Sequence, residues 1–357
     1  MECSSESFFS EVLNHYKERK PFVIYRKPEA SKISGLLQMN DIVFYSKEYK
    51  ESGFIFSPFD SRKEGVLIPF NNSKRLECSA EISSDKVQSA SIFEDDLAQN
   101  KHIKLVEKGI KKIKTSSLEK VVLSRTKEVA VEDLDFITIY KKLTDKYPQA
   151  FCYVWFHPKI GFWMGATPET LLTIYNESFK TMALAGTQKF EGTTDVIWGE
   201  KEIIEQELVT KSILVSLNEI ASTVSVSDVK TVKAGSLLHL RTDIKGEIAN
   251  TSSVAKFIES LHPTPAVCGL PKIMAKDFIL ENENYDREFY TGFLGELNKE
   301  VEEDTRTELY VNLRCMQYKE DSLLLYVGGG ITNASNAELE WQETENKTQT
   351  MLDVLLK

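Results

Sequence analysis

The chain has 357 residues, 41% of them hydrophobic and 27% charged, ordinary values for a folded soluble protein that argue against disorder. Lys and Arg total 44 against 54 Asp and Glu, and the formal charge of −10 disfavours a nucleic-acid partner or an anionic membrane surface. No apolar run approaches the length of a membrane span.

From the N-terminus, MECSSESFFSEVLNHYKERK puts acidic residues ahead of its apolar ones, which is not the pattern of a signal peptide. Phe8, Phe9, Val12, Leu13 and Tyr16 fall on one face of an amphipathic helix. Short strands are expected at 21–25, 41–46, 53–59 and 65–70, and the polar stretch 81–96 reads as a surface loop. A helix over 98–114 then opens a longer region. Strands are expected there at 120–131, 150–158, 161–165, 179–186, 307–317 and 322–330. Helices fit 135–147, 199–221, 251–260, 271–281 and 334–356. Strands arriving in hairpin-like pairs between single helices predict an α+β fold: one large layered domain of mostly antiparallel sheets with helices packed outside, rather than a doubly wound parallel sheet. The five cysteines (Cys3, Cys78, Cys152, Cys268, Cys315) lack any CxxC spacing and read as reduced thiols of a cytoplasmic protein. The five histidines form neither HxxxH nor HExxH, so any metal here is expected to be oxygen-bound.

Two segments concentrate carboxylates at helical spacing. In the C-terminal helix, Glu340, Glu343 and Lys347 follow i, i+3, i+7 and share a face, while Glu338 and Glu345 point elsewhere as solvated acids; Trp341, Met351 and Leu352 supply apolar contacts. In GEKEIIEQELV (199–209), Glu202 and Glu205 repeat the i, i+3 spacing, with Ile203, Ile204 and Leu208 supplying burial. Either pair alone reads as a solvated helix face that compensates the helix dipole. Two such pairs together offer an oxygen-rich site for a hard divalent cation, if the helices meet.

Seven stretches in order resemble the chorismate-utilising enzymes: KVVLSR (120–125), GATPETLL (165–172), LAGTQ (184–188), LHPTPAVCGLP (261–271), FYTGFLGE (289–296), VGGGIT (327–332) and EWQETENK (340–347). That family includes isochorismate synthase, salicylate synthase, anthranilate synthase component I and aminodeoxychorismate synthase component I, and the resemblance is strongest to isochorismate synthase. It runs from about residue 98 to the end, so residues 98–357 are expected to form the chorismate-binding catalytic region and 1–97 an N-terminal part of the same fold.

The resemblance implies roles residue by residue. Glu205 and Glu343 match magnesium-binding glutamates, with Glu202 and Glu340 acting through water; the Mg²⁺ ion then stands between acidic side chains and a dianionic substrate. Lys120 matches the general base that activates water for addition at C2, and Glu169 the general acid that protonates the departing C4 hydroxyl. Lys120 then has to be neutral and Glu169 protonated near neutral pH, and a bell-shaped pH profile is expected. Arg314 and Tyr290 match positions that bind substrate carboxylates. Gly328 and Gly330 match positions whose backbone approaches an oxyanion, Gly329 departing slightly from the usual small middle residue. Lys347 matches a carboxylate-contacting lysine, and its spacing also permits an ion pair with Glu343. Gly186, Thr187, Ala266 and Val267 line the pocket by resemblance. His239 matches a histidine near the reacting ring, although an isolated histidine in an apolar strand is commonly structural; His262 reads as part of a turn.

Lys120 separates the family's branches. Ammonia-using relatives carry glutamine at the base position, so lysine favours water as the nucleophile, with no glutaminase subunit required. Salicylate synthase shares the lysine and is the alternative; a catalytically inactive chorismate-binding module is a third reading. A small-molecule substrate, a monomeric state and a place in menaquinone or siderophore synthesis complete the expectation.

Overall fold

The run FCYVWFH alternates its allegiance residue by residue, and that alternation explains the architecture. In the strand Phe151–His157, Cys152, Val154 and Phe156 face one apolar cluster, while Phe151, Tyr153 and Trp155 face another. A strand apolar on both faces belongs to a sheet covered on both sides. The computed structural model describes residues 3–80, 90–92, 96–235 and 237–356. It contains two ten-stranded sheets, every described pairing antiparallel, packed face to face with helices outside.

The first sheet runs in the order Gly269–Leu270, Lys120–Val131, Ser322–Ile331, Cys315–Lys319, Gly161–Thr167, Phe151–His157, Phe22–Arg26, Lys32–Gln38, Ser73–Ser79. The second runs Ala221–Val226, Leu237–Ile248, Ser178–Lys189, Thr170–Tyr175, Asp304–Val311, Phe293–Val301, Gly53–Ser57, Gly65–Pro69, Phe44–Ser46, with Lys230–Ala234 also pairing on Leu237–Ile248; the tenth strand of the first sheet, Ala90–Ile92, pairs on Lys120–Val131. Strands from the first eighty residues thus extend both sheets. The shared interior is aromatic: Tyr25, Phe54, Phe56, Tyr153, Trp155, Trp163 and Tyr310 bury their rings between the layers.

Helices α1 (Ser5–Lys17), α2 (Asp96–Thr115), α3 (Phe136–Lys146), α4 (Glu200–Leu217), α5 (Val254–Leu261), α6 (Lys272–Asn282) and α7 (Ala337–Leu355) lie on the outer faces. Clusters from α1, α3 and α7 cover the first sheet, and clusters from α4 and α5 the second. Helix α7 begins where Asn336 accepts hydrogen bonds from the backbone N–H groups of Glu338 and Leu339. None of these helices is long and apolar enough to cross a membrane.

The expected α+β layering is observed, with departures in detail. Residues 81–89 and 93–95 of the predicted surface loop lie outside the described residues, while Ala90–Ile92 forms a strand beside Lys120–Val131. Helix α4 stops at Leu217, and the chain pairs as a strand from Ala221. Ile203 and Ile204 are exposed at 42% and 48%, and Gln206, Val209, Ile213 and Leu217 are the buried residues of α4 instead. The predicted strand 307–317 is two strands: Asp304–Val311 belongs to the second sheet and Cys315–Lys319 to the first, and the chain crosses between layers at Asn312–Arg314. A second crossing occurs between Gly161–Thr167 and Thr170–Tyr175. Glu169 lies in one crossing and Arg314 in the other.

The edge strand Gly269–Leu270 comes closest to the start of Lys120–Val131. Gly269 holds φ +133°, and a Cβ there would stand 2.2 Å from the Lys120 carbonyl oxygen. Only glycine fits. Gly269→Ala is expected to cost about 1–3 kcal/mol from backbone strain alone, measured as a lowered midpoint in urea unfolding.

Candidate active site

Lys120 opens its strand fully buried, and its Nζ donates to Glu205 Oε1 on α4 at 2.7 Å. Space for this pair exists because residue 330 is glycine: a Cβ there would lie 2.9 Å from Glu205 Oε1 and 3.0 Å from Lys120 Cε. Helix α7 closes the other side. Glu343 pairs with Lys347 at 2.7 Å, and Lys347 also donates to the Gly328 carbonyl at 2.8 Å. Glu340 accepts from Lys201 of α4 at 3.0 Å through Oε1, while its Oε2 is buried with no hydrogen-bond partner. That oxygen and Glu343 Oε1 lie 3.4 and 3.7 Å from where a Cβ on Gly329 would stand. The two helices therefore meet across the glycine strand, and three lysines balance the acids gathered there.

The acids differ in character. Burial, reinforced by the neighbouring Glu343, pushes Glu340 above the ordinary carboxylate range. Burial also opposes charge on Glu343, but Lys347 and Lys201 override it and hold that carboxyl below the ordinary range. Among the described residues no three carboxylate, histidine or cysteine side chains gather closely enough to chelate a metal alone.

Glu169 sits in the crossing between sheets, 3% exposed. Its backbone carbonyl accepts from Val311 N–H at 3.0 Å, and its Oε1 accepts from Thr264 Oγ1 at 3.4 Å. Burial drives its pKa up to about 8, against opposing effects from Thr264 and Lys120. At neutral pH this carboxyl holds its proton.

His239 reads differently from an acid–base group. Its Nδ1 lies 2.8 Å from the Gly186 carbonyl oxygen, which only accepts, and its Nε2 lies 3.2 Å from the Arg314 guanidinium, which only donates. The ring is therefore the neutral Nδ1–H tautomer, and burial beside Arg314 lowers its pKa to about 3. Arg314 also donates to Thr350 Oγ1 at 2.9 Å, so the guanidinium is fixed from two sides. It adopts φ +47°, a conformation that costs energy outside glycine and marks a constrained site.

These groups surround one cavity of about 110 Å³. Glu169, Gly186, Thr187, Glu202, Glu205 and His239 line it from the second-sheet side and α4. Ala266, Val267, Tyr290, Arg314, Gly328, Gly330, Glu343 and Lys347 also line it, among others that include Val122, Lys201 and Thr291. Lys120 and Glu340 stand directly behind it, in contact with Glu205 and beside Glu343. Every candidate residue named from sequence is thus at one site. His262 is not: its Nε2 meets the Pro58 carbonyl at 3.1 Å and its ring packs on Phe293, a structural role. Glu345 departs from its expected solvated role, held by Arg125 and, at 2.8 Å, by Lys127. Lys201 and Thr264 were missed. Lys201 adjoins Glu202 in an exposed-looking charged run, and Thr264 carries no chemical signature of its own.

A family model described as "Chorismate binding enzyme" matches residues 63–356, further toward the N-terminus than the motifs reach. Isochorismate synthase EntC of Escherichia coli (strain K12) is 32% identical over 253 residues, 67% of this chain and 63% of that protein. Isochorismate synthase DhbC of Bacillus subtilis (strain 168) is 29% identical over 265 residues, 69% of this chain and 65% of that protein. The chain therefore spans just under two thirds of each of these curated relatives. A solved structure described as a putative 2,3-dihydroxybenzoate-specific isochorismate synthase, DhbC from Bacillus anthracis, superposes with a TM-score of 0.79 at 26% identity, covering 98% of this chain and 99% of that one. With the fold, the glutamate helices and the family match in agreement over the same residues, the chain belongs to the chorismate-binding enzyme family.

Proposed function

We propose that this protein is a magnesium-dependent isochorismate synthase. The observation that carries the reading is one cavity that places a proton-holding carboxyl, Glu169, opposite carboxylates from two helices, with the buried amine of Lys120 directly behind Glu205. Water adds at ring carbon C2 and gives its proton to the Lys120 amine. The ring double bonds shift, and the C4 hydroxyl leaves as water with the proton from Glu169. One water enters and one departs, so the product is an isomer of the substrate, and proton exchange with solvent resets both groups.

The donor set suits magnesium. Mg²⁺ retains several waters and takes only one or two direct carboxylates plus substrate oxygens. Glu205 and Glu343 would hold it, Glu202 and Glu340 would act through water, and the orphaned Glu340 Oε2 supplies an acceptor for such a water. When bound, the ion neutralises the substrate's ring carboxylate and orients the ring. Arg314, locked by His239 and Thr350, presents its remaining donors to a second carboxylate, and the Tyr290 hydroxyl lies near Gly328 on the same wall. Action as a cytoplasmic monomer without a glutaminase subunit accompanies this reading.

Incubation with chorismate and Mg²⁺ tests it directly. Isochorismate is the expected product, formed reversibly and lost on addition of EDTA. Salicylate with an equal amount of pyruvate would replace this reading by salicylate synthase, and thermal stabilisation by chorismate with no product under any condition would leave a binding module.

A further inference from the structure

Outside the cavity lies a buried ion pair with an unusual set of attachments. Arg287 is 3% exposed, and each of its five N–H donors has an acceptor. Nε and Nη2 grip Glu283 at 2.7 and 2.6 Å; Nη2 also reaches the Val122 carbonyl at 2.7 Å, and Nη1 reaches the Val267 carbonyl and Thr291 Oγ1, both at 3.1 Å. Glu283 Oε1 in turn accepts from the Ser124 backbone N–H at 2.7 Å and the Ser124 hydroxyl at 2.9 Å.

The three tethered segments are the ones that carry the proposed chemistry. Val122 lies two residues beyond Lys120 on its strand. Val267 lines the cavity three residues after Thr264, which bonds Glu169. Thr291 follows Tyr290 directly and donates to the Tyr290 carbonyl at 2.6 Å. Backbone pairing between the loop and the Lys120 strand ends at the bond from Val122 N–H to the Cys268 carbonyl, 2.8 Å long. Beyond that point the guanidinium spans from Val122 to Val267.

A buried ion pair adds little stability compared with apolar side chains of the same volume, so two bonds to Glu283 and one to each of three separate segments call for a geometric explanation. We infer that Arg287, held by Glu283, is a positioning residue that fixes the Lys120 strand, the Thr264–Val267 loop and Tyr290 relative to one another. This rests on the isochorismate synthase reading and adds to it a residue that touches no substrate. Lysine at 287 keeps the charge and the link to Glu283 but cannot fork to three further acceptors.

The test compares wild-type protein, Arg287→Lys and, as a control of similar packing cost, Ile139→Val in the helix-side core. Arg287→Lys is expected to stay folded and to lose kcat by about 100-fold, the effect of an error of about 1 Å in placement. KM is expected to stay within about threefold. The pH limb belonging to Glu169 should also move down toward ordinary carboxylate values as the loosened loop admits water. Ile139→Val should lower the melting temperature without moving that limb or kcat. Wild-type kcat and an unmoved limb in Arg287→Lys would overturn the inference and leave the pair structural. Should Arg287→Lys fail to fold, Glu283→Gln takes its place with the same expected and overturning results. A wild-type protein that makes no isochorismate refutes the function itself, a separate outcome.

Discussion

Lys120→Met is expected to lower turnover of chorismate by about 10²–10⁴-fold, the usual loss when a positioned acid–base group is removed. Magnesium-dependent binding of chorismate, followed by calorimetry, should survive. Methionine matches the volume of the lysine stem, so the fully buried position is filled and no cavity opens. What the variant does lose is the partner of Glu205 at 2.7 Å. A partly buried carboxylate left unpaired costs about 1–3 kcal/mol. A divalent cation offsets that cost by taking over the partnership. The melting temperature of Lys120→Met should therefore rise more steeply with Mg²⁺ than that of the wild type. Near-normal turnover in this variant would end the assignment of Lys120 as base.

Glu169→Gln carries the second large effect, again about 10²–10⁴-fold in kcat/KM. Glutamine keeps the shape and accepts the Thr264 hydroxyl, but it has no proton to give to the departing hydroxyl. The pH dependence gives the sharper signature. A working acid must be protonated, and burial places this carboxyl at about 8. The competent form of this acid is present below that value and is lost as the pH rises through it, giving an alkaline limb near 8 in kcat/KM. In Glu169→Gln the residual rate should lack that limb. A wild-type profile flat from acid to alkaline pH would exclude the pair together.

Most of the candidate site was legible through the resemblance of its seven stretches to a known family, and local spacing by itself marked only the two glutamate pairs. The i, i+3 pairs Glu202/Glu205 and Glu340/Glu343 mark helices whatever lies between them, and the strand Lys120–Val131 has the predicted boundaries. Sheet crossings were illegible for a physical reason. Apolar alternation in TELYV reads straight on into CMQ, and nothing in period-2 patterning tells that the two halves pair with different sheets. The strands Lys32–Gln38 and Ser73–Ser79 were missed because KISGLLQ and SKRLECS mix polar and apolar residues without clean alternation. Arg287 and Glu283 stayed hidden in ENENYDREF, which looks like solvent-facing polarity; only their i, i+4 interval hinted at a pair. The inward face of α4 was misjudged because burial there is set by Val209, Ile213 and Leu217 further along, while Ile203 and Ile204 face out.

Glu169 and Arg314 both ride on the short connections by which the backbone leaves one layer for the other. Their separation from Lys120 is thus a property of how the two slabs are stacked, and the clamped aromatic filling between them serves as the gauge block that sets it. Any shear between slabs would put the proposed proton donor and the proposed carboxylate clamp out of line together. On heating, the two groups are therefore expected to be displaced together as the packing between the layers is lost, so that loss of activity and loss of tertiary structure should coincide in the unmodified protein.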